Sequence, residues 1–374
     1  MTLRAIFAGG GTGGHVFPLV AVCEALRREL GGELDATFVG SARGMEAQLI
    51  PARGERLELL PAHPIKGGGL SGAARGAWTA ARSIPAARAL VSRLAPGVVL
   101  SIGGYAAGSV TLAARTLGVP VALMEPNSVL GLANRLIAPL VSRAYLVFPE
   151  AGARLSPDIS RVFGMPLRPG FEPSVYAPTG RARVVVLGGS QGAQALNEAV
   201  PEAIHLLRAR VPHVSVLHQA GRGKDDAVRE RYRALGLDEV AETRAFVDDV
   251  PGVLRDADVV LARAGAGSVA ELCTVGRASI LVPFPVAADD HQRKNAEALA
   301  ASGAAVSVLQ AEATPQRLAR ELTELLGDGA RRARMAELAR GRGEPDAARK
   351  IARDLLALAS PAARRAATPS TEAS

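Results

Sequence analysis

Ile6-Phe7-Ala8-Gly9-Gly10-Gly11-Thr12-Gly13-Gly14-His15-Val16-Phe17-Pro18 joins an apolar run to a glycine cluster near the start of the chain. Leu3 to Ala8 is an apolar run of strand length, and apolar positions from Val16 to Leu30 recur at helical spacing, so the glycines fill a strand-to-helix turn. Glycines let backbone approach a ligand, and the free N–H groups with the positive end of the following helix favour negative charge. Each such interaction contributes about 0.3–1 kcal/mol when exposed and up to about 2 kcal/mol when partly buried. The turn reads as a phosphate loop.

Two familiar phosphate loops fit poorly. A Walker loop ends in Gly-Lys-Ser/Thr, whereas Gly14 is followed by His15 and Val16, which excludes that class of NTPase. Gly9, Gly11 and Gly14 match the dinucleotide fingerprint, but that motif requires an acid at the end of the second strand, and the run from Asp35 to Val39 ends in Gly40-Ser41. A nicotinamide or flavin cofactor is therefore not expected.

Strand-length and helix-length runs alternate throughout, the signature of parallel sheets covered on both faces. Strands are expected at Leu3–Ala8, Ala36–Val39, Val98–Ile102, Val121–Met124 and Ala144–Val147, then at Ala182–Leu187, Val214–Gln219, Thr243–Phe246, Val259–Leu261 and Ser279–Val282. The second set opens with its own glycine turn, Leu187-Gly188-Gly189-Ser190-Gln191-Gly192-Ala193. The fold class is α/β: two nucleotide-type folds in tandem, facing each other across a cleft, with ligands outside the carboxyl ends of the strands. A Pro-rich linker near Met165-Pro166-Leu167-Arg168-Pro169 puts the domains at 1–164 and 165–340, and a tail of Ala, Arg, Pro, Ser and Thr from 360 to 374 is expected to be disordered.

A formal net charge of +8 suits an anionic partner. Of nucleotide, membrane surface and nucleic acid, the last fits least: aromatics are 3%, there is no compact Lys/Arg block, and the cations are almost all scattered arginines. Cys23 and Cys273 lie in expected helices without metal-ligand spacing and read as small buried hydrophobes in a reducing compartment. Neither a signal peptide nor a membrane span is legible. Lys66, Arg75, Arg82, Arg88 and Arg93 interleave with Leu70, Trp78, Ile84, Leu90 and Val91, with Pro85 interrupting the pattern. Such a segment lies on an anionic bilayer at about 1 kcal/mol per basic residue, or is a solvated helix covering a sheet.

Taken together, the loops resemble the MurG glycosyltransferases: Gly9 to Pro18, Gly103-Gly104-Tyr105, Gly188 to Ala193, Arg263-Ala264-Gly265 with Glu271, and Asp290-His291-Gln292 with Asn295. The resemblance spans the chain up to its tail. It implies a GT-B fold and transfer of N-acetylglucosamine from UDP-N-acetylglucosamine to undecaprenyl-diphosphate-N-acetylmuramyl-pentapeptide, with inversion, at the inner face of the cell membrane. The C-terminal domain would hold the donor and the N-terminal one the lipid. The last helix, about 344–357, would return to the first domain. Departures from the family pattern are Met165 before the linker Pro, Tyr105-Ala-Ala-Gly108-Ser109, Glu125-Pro126-Asn127 and Ile65-Lys66-Gly67-Gly68, three of them in the acceptor half.

His15 starts a helix, whose positive end disfavours an imidazolium, so a general base is expected there; by resemblance it would deprotonate the acceptor 4-hydroxyl. Glu125, following a strand, is the rival base. Ser268-Val269-Ala270-Glu271 has the spacing of a capping box. The resemblance instead gives Glu271 the uridine ribose, Ala266 to Ala270 with Gly267 and Ser268 the diphosphate, and the Val247 backbone the uracil edge. Ser190 and the N–H groups around it would bind the UDP phosphates, with Arg168 as a fixed charge and His291 and Gln292 on the donor sugar. Thr12, Gly13, Gly14 and Asn127 would contact sugar or phosphates, and Gly13, Gly14, Gly103, Gly104 and Tyr105 the acceptor diphosphate. No metal or other cofactor is expected: Asp256-Ala257-Asp258 mimics a metal motif but precedes a strand, and Asp289-Asp290 lacks partners at useful spacing. A diacylglycerol glycosyltransferase, a non-catalytic UDP-sugar-binding subunit and a UDP-N-acetylglucosamine epimerase remain open alternatives.

Overall fold

A computed structural model describes residues 2–11, 13–42, 44–61, 69–189, 191–287 and 290–359, without the side chains of 69–81 and of Tyr105. Thr12, Ser190, Lys66 and the 360–374 tail lie outside the described residues. The chain forms two compact units: the first runs to Arg168 and is joined by the chain from Asp346 on, and the second is Pro169–Pro345.

The first unit is built on seven strands: β1 (Leu3–Ala8), β2 (Leu34–Gly40), β3 (Arg56–Leu59), β4 (Val98–Ser101), β5 (Val121–Glu125), β6 (Arg143–Leu146) and β7 (Ser160–Val162). They pair in parallel in the order β3-β2-β1-β4-β5-β6-β7. The helices are α1 (Gly13–Glu29), α2 (Glu46–Ala52), α3 (Gly69–Leu94), α4 (Tyr105–Thr116) and α5 (Leu132–Ile137). Successive strand residues face opposite ways, so one apolar run fills two cores. Ala5, Phe7, Leu100 and Met124 pack with α1, while Ile6, Ala8, Val99 and Leu123 pack with α3 and α4.

The second unit has β8 (Ala182–Leu187), β9 (Val214–Gln219), β10 (Ala241–Arg244), β11 (Val259–Ala262), β12 (Ser279–Leu281) and β13 (Val306–Ser307), parallel in the order β10-β9-β8-β11-β12-β13. Its helices are α6 (Gln194–Arg208), α7 (Asp225–Ala234), α8 (Val250–Asp256), α9 (Ala266–Val275), α10 (His291–Ala301), α11 (Pro315–Gly327) and α12 (Gly329–Arg340). The chain then re-enters the first unit as α13 (Ala347–Ala359). Ile351, Ala352 and Leu355 are fully buried in the core shared with α1, and the Tyr145 hydroxyl donates to Asp354 Oδ2 at 2.8 Å.

Three strands escaped the sequence reading: β3, β7 and β13. Each is short and at or beside a sheet edge, with polar residues that interrupt any apolar run. β10 begins two residues before the expected Thr243, and α13 begins at Ala347, after Pro345. Pro85 does not break α3, which continues through it to Leu94. Leu90 and Val91, read as part of a membrane-facing surface, are buried under the sheet, so this half of α3 is an ordinary covering helix. Arg88 donates to Thr116 and Arg93 pairs with Glu58.

His218 on β9 is wholly buried between Tyr232 and Asn197. Asn197 Nδ2 donates to the Ala220 carbonyl, so its Oδ1 accepts from His218 Nε2, and Nδ1 is left to accept the Tyr232 hydroxyl. The site holds a neutral ring, and burial lowers the imidazole from its ordinary 6.5 to about 3.

Two expectations follow from this packing. Leu355→Ala lowers stability of the first unit by about 2–5 kcal/mol in urea unfolding, because it empties a filled core position. Between pH 6.5 and about 3 the unfolded chain binds a proton at His218 that the folded chain does not. Stability therefore falls as pH drops through that window, by up to about 1.4 kcal/mol per pH unit, and His218→Gln flattens the slope seen in pH-dependent melts.

Candidate functional site

In each parallel sheet the carboxyl ends of the strands lie along one edge, and the connections run opposite ways on either side of the first strand. Loops after the two strands flanking that switch point leave an open crevice. In the first unit these are the β1–α1 loop, Gly9 to Gly11 with the start of α1, and the β4–α4 turn, Ile102 to Gly104. Gly104 has φ 93°, and a Cβ there would sit 3.4 Å from the Gly10 carbonyl oxygen, so the two loops touch backbone to backbone.

The β1–α1 loop is built around a side chain that the sequence reading did not single out. Glu46, the first residue of α2, is 2% exposed; its Oε2 accepts the Gly11 N–H at 2.7 Å and its Oε1 accepts the Ser41 N–H at 2.9 Å and hydroxyl at 3.0 Å. A Cβ on Gly10, Gly40 or Gly44 would overlap this carboxylate. The sequence shows no acid at the end of β2, yet a carboxylate arrives there from the next helix. An acid in a first helical turn reads as an ordinary dipole partner, which is why it passed unnoticed. Its consequence is chemical: the Gly11 N–H is already bonded, and the Gly9 N–H goes to Val39. Gly13 and Gly14, at the start of α1, remain as donors for an anion.

His15 is half-buried in the first turn of α1, and its Nδ1 lies 3.0 Å from the Gly10 carbonyl oxygen. A carbonyl only accepts, so Nδ1 carries the hydrogen, and in the neutral ring Nε2 has the lone pair. Glu125, at the end of β5, is different. It is 1% exposed, and its oxygens accept from the Asn127 N–H and Nδ2, the Gly131 N–H and Asn134 Nδ2. Four donors on one buried carboxylate make a clamp for the loop that carries Asn127. Tyr105 begins α4 behind Gly104. Arg168 is half-buried at the last residue of the first unit.

In the second unit the switch point lies between β8 and β11. Gly188, Gly189, Gln191 and Gly192 follow β8 and interlock with the Ala220–Gly223 turn after β9: Gln219 Nε2 donates to the Gly189 carbonyl and Lys224 Nζ to the Gln191 carbonyl, both at 2.8 Å. Gly192 has φ 71°, and a Cβ there would overlap the Ala220 carbonyl. The role of the turn after β9 was not legible in advance, although Gly221-Arg222-Gly223 after a strand is a turn signal.

α9 starts at Ala266 with Gly265 as its N-cap, and no side chain caps it. Ser268 is the third helical residue, so the capping box read from Ser268 to Glu271 does not form, and capping does not account for the acid. The N–H groups of Ala266, Gly267 and Ser268 precede the first intrahelical bond, which Val269 makes to Gly265. Half-buried Glu271 and Ala270 lie in the next turn. Around this helix start Arg263 donates to the carbonyls of Val282 and Pro283 and to Gln310, and buried Asn295 donates to the Ala264 carbonyl. Gln292 Oε1 accepts the Phe284 N–H at 3.0 Å, which leaves its amide NH2 to donate outward, and His291 opens α10 beside it. Val247, buried, follows β10 on the same edge of the sheet.

Asp258 is structural: it accepts the Tyr176 hydroxyl at 2.7 Å and the Arg183 N–H at 2.9 Å. Asp290 pairs with Arg293. Burial pushes the thiols of Cys23 and Cys273 up to about 12, leaving both unreactive.

Residues 5–146 match the glycosyltransferase family 28 N-terminal domain and residues 183–351 its C-terminal domain. The chain is 53% identical over 359 residues to the UDP-N-acetylglucosamine–N-acetylmuramyl-(pentapeptide) pyrophosphoryl-undecaprenol N-acetylglucosamine transferase of Sorangium cellulosum (strain So ce56), covering 96% of this chain and 89% of that protein. Identity to the protein of the same name from Halorhodospira halophila (strain DSM 244 / SL1) is 43%, with 94% and 98% covered. Among solved structures it is similar to Acinetobacter baumannii MurG, at a TM-score of 0.79 and 27% identity over 95% of this chain and 99% of that one. A Neisseria meningitidis UDP-GlcNAc 2-epimerase bound to UDP-GlcNAc gives a TM-score of 0.65 at 14% identity, covering 96% and 100%, a likeness of fold alone.

Gly192→Ala tests the interlocked loops of the second unit. A left-handed backbone costs a non-glycine residue about 1–2 kcal/mol, and the clash with a carbonyl adds to it, so UDP affinity measured by calorimetry falls while the first unit is unaffected.

Proposed function

The chain belongs to glycosyltransferase family 28 and, within it, to the MurG transferases, and we infer that it moves N-acetylglucosamine from UDP-N-acetylglucosamine to the 4-hydroxyl of undecaprenyl-diphosphate-N-acetylmuramyl-pentapeptide. This step of peptidoglycan synthesis is an inverting displacement. The acceptor oxygen attacks the anomeric carbon, its proton passes to a base, and the bond to the UDP β-phosphate breaks with inversion. The observation that carries the residue assignment is the bond from His15 Nδ1 to the Gly10 carbonyl, because it leaves Nε2 able to take that proton.

The donor is assigned to the second unit. Negative charge builds on the departing diphosphate, and the N–H groups at the start of α9, with those of Gly189 and Gln191, are donors for it, while the Gly192 N–H is bonded to the Gly189 carbonyl. Losing one such donor costs about 2.7–4 kcal/mol of activation energy, so a few of them supply the charge stabilisation that a metal gives elsewhere. Glu271 accepts the ribose hydroxyls, the Val247 backbone meets the uracil, and Gln292 and His291 meet the sugar. Ser190, Thr12, Asn127 and Arg168 complete the donor contacts. Gly13 and Gly14 with Gly103, Gly104 and Tyr105 take the acceptor diphosphate.

No helix among the described residues is long and apolar enough to cross a membrane. Since the acceptor is a lipid, the enzyme works peripherally at the inner face of the cell membrane. The basic segment running into α3 supplies electrostatic attachment to anionic lipid through Lys66 and Arg75, while Arg88 and Arg93 are bonded to protein.

His15→Ala reduces transfer of radiolabelled N-acetylglucosamine to the lipid acceptor by about 10²–10⁴-fold; an unchanged rate would remove the base. Label appearing only in diacylglycerol, when both lipids are offered, would remove the acceptor. Glu271→Gln weakens UDP binding by about 1.5–3 kcal/mol, more than tenfold in Kd by calorimetry, since a carboxylate accepting two hydroxyls becomes an amide.

A further inference from the structure

We propose that Glu46 is a positioning residue for His15, acting through the single peptide group between Gly10 and Gly11. That inference rests on His15 being the base. The N–H of this peptide, on Gly11, donates to Glu46 Oε2 at 2.7 Å, and its C=O, on Gly10, accepts from His15 Nδ1 at 3.0 Å. The peptide is trans, so N–H and C=O point to opposite edges of one rigid plane. A carboxylate on one edge and an imidazole on the other are thus joined by two hydrogen bonds and one amide, and each bond polarises the next.

The carboxylate is suited to this and to little else. It is buried at 2% exposure and cannot swing, because the Ser41 N–H and hydroxyl hold its other oxygen. Glycines at 10, 40 and 44 leave the room that it fills. The same turn grips Gly11 a second time, since the Met45 N–H donates to the Gly11 carbonyl at 3.4 Å. The plane of the Gly10–Gly11 peptide is therefore set by α2 and the turn before it. Drawing electron density away from the N–H side is opposed by the anion, which makes the Gly10 oxygen a stronger acceptor and fixes the proton on Nδ1. Nε2 is kept aimed, with the lone pair of the neutral ring on it. In a free-standing glycine loop the peptide could flip and present an N–H to the ring instead, which would exchange the tautomers and remove the lone pair from the reacting side.

The wild-type protein decides first. Its six histidines allow nitrogen-15 NMR assignment of the His15 ring, which is expected in the Nδ1–H form; a neutral ring protonated on Nε2 overturns the proposal without any variant. Glu46→Gln is expected to lower kcat for transfer from UDP-N-acetylglucosamine to the lipid acceptor by about 10–100-fold, the range typical for a residue that orients a reacting group. Donor KM should move less than about twofold, because the uridine and diphosphate contacts are assigned to the other unit, and the His15 ring should show mixed tautomers. His15→Ala and the double variant H15A/E46Q should then be equally slow, since Glu46 acts only through His15. If Glu46→Gln multiplies the His15→Ala defect by its full single-variant cost, Glu46 acts elsewhere and the proposal falls. A normal His15→Ala rate removes the base and the positioning role together. A crippled His15→Ala beside an unaffected Glu46→Gln removes the positioning role alone.

Discussion

Everything at the candidate site depends on backbone N–H groups left without partners at the carboxyl edge of a parallel sheet. A parallel sheet must be covered on both faces, so each strand is followed by a helix, and the helix starts gather along one edge. Where the winding changes direction, between β1 and β4 and again between β8 and β11, the loops after the flanking strands lead into helix starts whose first N–H groups have no intrahelical partner and border a crevice. Side chains would fill that space, which is why glycine recurs there. The electrostatics are those of aligned peptide dipoles and owe little to the overall charge of +8.

The two units use the arrangement differently. In the first, a buried carboxylate occupies part of the glycine loop, leaving fewer backbone donors and a histidine held by a carbonyl. A loop so furnished suits proton transfer beside an anion better than full enclosure of a diphosphate. In the second, no carboxylate is bonded to the glycine loop among the described hydrogen bonds; its carbonyls are tied back by Gln219 and Lys224, and a lysine ammonium adds positive charge behind it. The start of α9 beside it has no side-chain cap. The two loops thus differ in their bonding, although the two sheets share one winding pattern.

Buried polar residues in both units serve to hold loops. Glu125 gathers four donors, Arg263 spans three acceptors, and Asn295 reaches the Ala264 carbonyl. Each costs desolvation that is offset only when its hydrogen bonds are complete. Such residues look catalytic in a sequence, because an acid or arginine beside a glycine is what a reacting group also looks like. Glu125 is the instructive case: at the end of β5 it reads as a base, and in the fold it gathers the loop that follows.

The sequence by itself determined the α/β class, ten of the strands, the two glycine turns and His15 at a helix start, since apolar runs, glycine clusters and helical periodicity are local patterns with local causes. The edge strands β3, β7 and β13 were not legible, because they are defined by the neighbour they pair with rather than by their own residues. Tertiary structure alone decided that Leu90 and Val91 face the core, that Ser268 sits inside its helix, and that α13 completes the first unit. It alone also brought Glu46 to Gly11, residues 35 positions apart. A hydrogen bond of that span is set by where two strands and the next helix lie in space, and no spacing rule along the chain encodes it.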